Sequence, residues 1–196
     1  AVMKPVAKTY KSVMPDIAEK GVNNFFNNLK DVVTVINDLF QFKIHHAAND
    51  AGRVLVNTTA GILGLIDVHS MSGGERRKED FGQTLGVYGV GSGPYIFLPI
   101  LGPGNPRDLL GRAGDAVINP VYWVGSNDDE DDIRLGVTLI SGIHARENAL
   151  ELLEELENTS VDYYATVRSL YIQNRESEIK NGTTDIDALP EIDDLD

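Results

Sequence analysis

Glycine and the histidines are the residues here whose types and spacing invite chemistry. Gly82, Gly86, Gly89, Gly91 and Gly93 crowd a short stretch ahead of Pro94. Such a cluster can cradle a phosphate when a strand precedes it and a helix with Lys-Ser/Thr follows. No apolar strand leads in, no Lys-Ser/Thr comes after, and Pro94 stands where the helix would begin. The spacing instead suits turns or close helix contacts that only glycine permits. Ser92 sits directly between Gly91 and Gly93, which is not the Gly-x-Ser-x-Gly frame of a hydrolase elbow.

His45, His46 and Asp50 could supply metal ligands, with His46 and Asp50 on one helical face. A structural or catalytic site needs three or four ligands at fixed spacings, and no second pair accompanies them. Asp67 and His69 are equally isolated. Asp50 with Arg53 reads as a helix-surface ion pair. Asp115 and the acidic run 128–132 lack the spaced oxygens and central glycine of a calcium loop. With no cysteine, thiolate chemistry is excluded, and the sequence implies no metal and no cofactor.

The chain of 196 residues carries 17 basic and 30 acidic side chains, a net charge of -13. That balance excludes nucleic acid, whose phosphates call for clustered Lys and Arg. It also argues against docking through a broad basic face, but not against apolar contact with lipid. Hydrophobic residues make up 42%, enough for one domain. No apolar stretch reaches the roughly 20 residues of a membrane-spanning helix. Ala1-Val2-Met3-Lys4-Pro5 has none of the layout of a signal peptide, as expected of a mature or trimmed form.

Hydrophobic spacing of three and four predicts an all-α chain. Pro15-Asp16 opens a helix whose apolar stripe is Ala18, Val22, Phe25 and Leu29, with Asn23, Asn24, Asn27, Asn28 and Lys30 covering the rest. Val32 to Phe42 continues it, although its valines leave a strand open. Ile44 to Thr59 is the next helix, with a polar stripe of His46, Asp50, Arg53 and Asn57 and with Ala47, Ala51, Val54 and Leu55 facing away. Gly61 and Gly64 break the pattern, and Ser70 to Lys78 is a polar loop. After the glycine cluster, Pro94 and Pro99 bracket Tyr95-Ile-Phe97-Leu, a run too short for a helix of its own. Asn105-Pro106 opens a helix to about Ala116, since proline suits a first turn. A helix from Ile133 to about Glu157 begins nearly apolar all round, interrupted only by a narrow stripe of Arg134, Thr138 and Ser141. Ser160 and Asp162 start a last helix that ends at Asn181-Gly182. One helical domain is expected over 1–182, and a flexible acidic tail over 183–196.

The stripes allow two readings. A helix apolar all round is buried in a core or in lipid. Its few polar groups either bond to neighbouring helices or line a wet passage while the apolar surface meets acyl chains. His46, Asp50, Arg53 and Asn57, with Arg134, Thr138 and Ser141, are therefore the lipid-passage candidates. Gly86, Gly89, Gly91, Gly93, Pro94, Tyr95, Phe97 and Pro99 form the candidate flexible, membrane-facing loop.

Several blocks resemble the VacJ (MlaA) family. They are Asn24-Phe-Phe-Asn-Asn-Leu29 with Asn37 and Gln41; Arg53 to Gly61 with Gly64-Leu-Ile-Asp67; Asp80 to Pro99 with Arg107-Asp108; Asp115; Arg146; and Val167 to Gln173. The resemblance covers about Pro5 to Gly182. It implies a helical, ring-shaped lipoprotein in the inner leaflet of the outer membrane, surrounding an amphipathic channel. Such a protein sits beside a trimeric porin. It takes phospholipid that has strayed to the outer leaflet and passes it to a soluble periplasmic carrier, which maintains lipid asymmetry. Two departures stand out. The family's lipid-bearing cysteine and early aromatic-Asn segment are missing, so trimming at the amino terminus is expected. The proline usual after the Asn-Leu motif is Val32, which predicts a softer break in the helix there. The competing classes are a lipid hydrolase using His45, His46 or His69, and a scaffold that only docks to a porin.

Overall fold

The structure, a computed structural model, describes residues 15–98, 102–123 and 150–181. Its elements are α1 (Asp16–Phe40), α2 (Ile44–Thr59), α3 (Val68–Met71), α4 (Phe81–Val87), β1 (Ile96–Leu98), β2 (Gly102–Gly104), α5 (Pro106–Ile118), α6 (Pro120–Trp123), α7 (Leu150–Thr159) and α8 (Tyr163–Ile179). The fold is mostly helical, as the spacing predicted. The exception among the described residues is the antiparallel pair β1–β2, with Ile96 opposite Gly104 and Leu98 opposite Gly102. Helices α1 and α2 form a hairpin. Helix α4 packs on α5, and α8 closes over α4 and β2.

Local chemistry sets most of the boundaries. Asp67, Asp80, Asn105 and Asp162 each accept a backbone N–H at the start of a helix, satisfying a donor that has no intrahelical partner. Helix α1 runs through Val32 without a break, so neither the strand alternative nor the softer break materialises. It ends where Phe42 enters the left-handed region at φ 58°. The turn after α2 is tighter still. Gly64 has φ 89°, and a Cβ there would lie 2.7 Å from Asn28. A Cβ on Gly61 would lie 2.1 Å from the Ile66 carbonyl oxygen. Between these glycines, Ile62 and Leu63 also take positive φ, 53° and 57°, an uncommon state for a bulky side chain and an outlier for a β-branched one.

The burial pattern is inverted. Among the described residues the buried apolar side chains are Phe26, Val33, Ala47 and Val167, while the buried polar ones include Asp31, Thr34, Asn37, Asp38, Gln41, Asp50, Arg53 and Asn57. The apolar stripe expected to form the α1 core does not. Ala18 is exposed and Val22, Phe25 and Leu29 are half-buried, whereas Asn28, expected on the covering face, is buried. Large apolar side chains stand outside: Leu39, Phe40, Phe42, Ile44, Leu55, Ile62, Leu63, Leu65 and Ile66. Exposed leucines are ordinary on any surface; a core built of charged side chains is not.

Candidate functional site

Helix α2 turns its polar stripe inward, onto α1. Arg53, 1% exposed, donates from Nε to Asp31 at 3.1 Å and from Nη2 to Asp67 at 2.5 Å and Ser70 at 2.8 Å. Asn57 donates to the other Asp67 oxygen at 2.9 Å. Arg76 donates to Asp31 at 2.8 Å. Asp50 accepts from Arg77 at 2.7 Å, and Arg77 also reaches Asp38 at 3.3 Å. The expected surface pair of Asp50 with Arg53 therefore does not form. Each takes a partner from outside α2, because both side chains point into the hairpin. His46, the fourth member of the stripe, is exposed.

The seam continues toward α4. Gln41 donates to Glu79 at 2.9 Å and to Thr84 at 3.0 Å, and Thr84 donates to Asn37 at 2.8 Å. Asn37 donates to Asp115 at 3.1 Å, and the same carboxylate oxygen accepts the Phe81 backbone N–H at 2.9 Å. A second knot lies where α4, α5 and α8 meet. Arg175 donates to Asp80 at 2.7 and 2.6 Å, to Asp108 at 2.9 and 3.1 Å, and to Glu178 at 2.8 Å. Tyr171 donates to Asp108 in a short hydrogen bond.

Electrostatics follow this wiring. Burial pushes the Asp31 carboxyl up, with Arg76 and Arg53 opposing. Burial likewise raises Asp38, to about 7, against the pull of Arg77, and raises Asp115 to about 6. At Asp67, Asp80 and Asp108 burial also pushes upward. There it is outweighed by hydrogen bonds from Ser70 and Asn57, from Arg175 and Gln83, and from Tyr171 and Arg175 respectively, so all three sit below the usual carboxylate range.

Two cavities flank Arg175. One of about 180 Å³ is lined by Gly93, Tyr95, Asn105, Arg107 and Tyr171, and one of about 230 Å³ by Asp80, Asp108, Arg112 and Asp115. A guanidinium has five N–H donors, and all five of Arg175 are committed to carboxylates. That leaves Arg175 without a donor for a phosphate.

The glycine cluster divides by role. Gly82 and Gly86 lie within α4, a helix that the sequence reading missed. A Cβ on Gly82 would meet Arg175 at 2.6 Å, and one on Gly86 would meet Ile179 at 2.9 Å. Gly89 and Gly93 take positive φ, a Cβ on Gly91 would meet nothing within 4 Å, and Pro94 is exposed. Tyr95 is held edge-on between Tyr164 and Tyr171, at 5.7 and 5.8 Å. Phe97 points outward, 46% exposed. Pro99, Arg134, Thr138 and Ser141 lie outside the described residues. His45 and His46 are exposed. Among the described residues no cluster of three metal-ligating side chains forms, and no helix is long and apolar enough to cross a membrane.

Sequence reasoning missed Asp31, Asp38, Arg76, Arg77, Glu79 and Arg175. The available signal was the helical spacing of Asp31, Thr34, Asp38 and Gln41, a polar stripe on α1 that matches the one on α2.

Among the described residues, charged groups are buried in hydrogen-bonded seams while many large apolar side chains stand exposed, a pattern that suits a helical protein of the lipid-contacting class. The chain belongs to the MlaA lipoprotein family, whose model matches residues 1–178. It is 32% identical over 184 residues to the intermembrane phospholipid transport system lipoprotein MlaA of Escherichia coli, spanning 92% of this chain and 70% of that one. The protein of that name from Haemophilus influenzae is also 32% identical, over 183 residues, covering 92% of this chain and 72% of that one. An uncharacterised Rickettsia bellii protein is 35% identical over 179 residues, covering 91% of this chain and 69% of that one. A solved structure from work on the structural basis for maintenance of bacterial outer membrane lipid asymmetry superposes with a TM-score of 0.76. It is 29% identical, covering 91% of this chain and 88% of that one.

Proposed function

We propose that this chain is a phospholipid-transport component of the outer membrane that acts without covalent chemistry. The observation that carries the reading is the inversion: charges are sealed inside the α1–α2 hairpin while Leu55, Ile62, Leu63, Leu65 and Ile66 face outward. In water such an exterior is a liability; in an acyl layer it is solvated. Ile62 and Leu63 support it further, because bulky residues persist in the left-handed region only when something else rewards them. Backbone hydrogen bonds from Leu63 to Thr58 and from Gly64 to Asn57 hold the turn, and hydrocarbon would solvate the two side chains it presents. In this reading the native, lipid-anchored protein lies at the periplasmic face of the outer membrane beside a trimeric porin. It takes misplaced phospholipid from the outer leaflet and passes it to a soluble periplasmic carrier. Asp50, Arg53 and Asn57 then serve as the frame of the passage, and Arg134, Thr138 and Ser141 as its lining.

Native mass spectrometry of protein extracted from membranes tests this. Bound intact phospholipid is expected. Bound lyso-lipid would favour a hydrolase, and a protein free of lipid would favour a porin-docking scaffold.

A further inference from the structure

Asp38 on α1 and Asp50 on α2 are 0% and 1% exposed and lie close enough across the hairpin to share one guanidinium nitrogen. Two carboxylates at that distance repel unless one is protonated. The single cation they share is Arg77, 3.3 Å from Asp38 and 2.7 Å from Asp50. Both bonds leave from one guanidinium nitrogen, Nη2, and both end on the Oδ2 atoms. The two Oδ1 atoms are buried and, among the described residues, accept no hydrogen bond. A buried carboxylate oxygen left in that state is costly. A proton placed between the two carboxyl groups removes the cost, because the neutral carboxyl becomes the missing donor.

We propose that Asp38 and Asp50 together bind one proton, and that losing it loosens the packing of α1 on α2. The remaining charges nearby agree. Glu79, on the segment before α4, adds negative charge facing Asp38. Its own partners are Lys43 at 2.9 Å and Gln41 at 2.9 Å, so Lys43 is drawn to Glu79 rather than to the pair. Further along α2 and α1, Arg53 is engaged with Asp31 and Asp67. His46, one turn before Asp50 and exposed, is held below its usual range by partial desolvation and by Arg77 and Lys43. It is thus a poor source of compensating charge near neutrality. The net count around the pair favours the protonated state, and burial, the largest influence on Asp38, acts the same way.

The sign follows by linkage. A carboxyl that is easier to protonate in the folded state makes the fold most stable at acid pH. Stability falls as pH rises from the unfolded value toward the folded one. For Asp38 that window runs from 3.8 to about 7. The pair's support for the hairpin should therefore be fullest below 3.8, decline through mildly acidic pH and be lost above about 7. This gives the seam a response to pH that a conventional apolar hairpin would not have.

The test is carboxyl ¹³C titration of the full chain in detergent. Amide exchange across Ile44–Thr59 is measured alongside, corrected for intrinsic rates, from about pH 5 to about pH 8. Expected are one aspartate carboxyl at this site titrating near neutrality, and protection of α2 falling roughly tenfold or more over that range. Asp38→Asn supplies a permanent donor in place of the shared proton. It should leave α2 protected at the level of the parent protein near pH 5, with its dependence on pH largely gone. Asp38 and Asp50 both titrating below about pH 5 would overturn the proposal. So would an Asp38→Asn protein whose α2 protection still falls with pH as the parent's does. If Asp38→Asn does not fold, the titration of the unaltered chain decides alone.

Discussion

Arg53→Met removes the charge at the centre of the α1–α2 seam while keeping an unbranched side chain of similar reach. Arg53 is 1% exposed, and its guanidinium serves Asp31, Asp67 and Ser70. Removing one partner of a buried ion pair costs about 3–5 kcal/mol, because the partner left behind stays buried and charged. Two features place Arg53 near the lower end. Asp31 keeps Arg76 at 2.8 Å. Asp67 keeps Asn57 and Ser70, and its side chain is 24% exposed. A loss of about 3 kcal/mol is expected, against a total of roughly 5–15 kcal/mol for a domain. Urea unfolding followed by circular dichroism in mild detergent should show an unchanged slope. The midpoint should move down by roughly 1–2 M. Arg53→Lys should recover part of the loss, since an ammonium can satisfy one carboxylate but not the fork. A change below about 1 kcal/mol is what an exposed pair yields, and it would refute the reading of the seam as the interior of the fold.

Four further outcomes are expected. Leu63→Gly should raise the melting temperature, because the left-handed state costs an L-residue about 1–2 kcal/mol and Leu63 is 67% exposed; flotation with phospholipid vesicles should weaken in the same variant. Gly111→Ala places a Cβ 2.3 Å from the Gly82 nitrogen, a backbone atom that no rotamer can move, so a loss of about 3 kcal/mol is expected in the same unfolding assay, with Gly91→Ala as the silent control. Asp115→Asn should flatten the stability-against-pH curve between 3.8 and about 6: with its folded value raised, Asp115 supports the fold in acid and withdraws that support as pH rises through this window, so a variant curve parallel to the parent's would contradict the assignment. Thr138→Leu and Ser141→Leu should slow phospholipid transfer while barely changing the melting temperature, whereas a loss of roughly 1–3 kcal/mol with normal transfer would mark a buried hydrogen-bonding stripe instead.

The boundaries of the helices were legible and their orientation was not. Ile44–Thr59 has the ends its periodicity predicts. Asn105-Pro106 and Asp162 open α5 and α8 as capping chemistry requires. Periodicity finds a stripe but carries no label for which side is inward. Assuming an apolar core placed Ala18, Val22, Phe25 and Leu29 inside α1, where the structure puts Asp31, Thr34 and Asp38. Helix α4 escaped notice for a different reason. Glycine costs a helix about 1 kcal/mol per residue, and Gly82 and Gly86 fall within seven positions. The Asp80 cap and close packing on α5 and α8 outweigh that cost. The bond from Arg175 to Asp80 spans 95 positions, and nothing local announces it. Resemblance reached further than periodicity here. The Asp80 block, Arg107-Asp108 and the Val167–Gln173 block come together where Tyr171 donates to Asp108 and Arg175, just beyond the last block, bridges Asp108 to Asp80.

That meeting explains why the matched residues are so often polar. In water, two helices associate because apolar faces leave the solvent. In an acyl layer that drive is absent, since lipid tails solvate leucine as well as another helix does. Helices there must be held by what hydrocarbon cannot supply: hydrogen bonds, ion pairs and close backbone contact at small residues. All three occur in this chain. Arg53, Arg77 and Arg175 each bridge carboxylates from different elements, and Gly82 meets Gly111 backbone to backbone. Buried ion pairs add little net stability in a water-soluble core, where apolar replacements serve as well or better. In a protein whose exterior faces lipid, an apolar replacement would have no preference between neighbour and solvent. The same charges then specify which helices touch and in what register. Were the hairpin to face lipid, as proposed, the inversion would follow from its surroundings, and the polar interior would be what holds it to one arrangement.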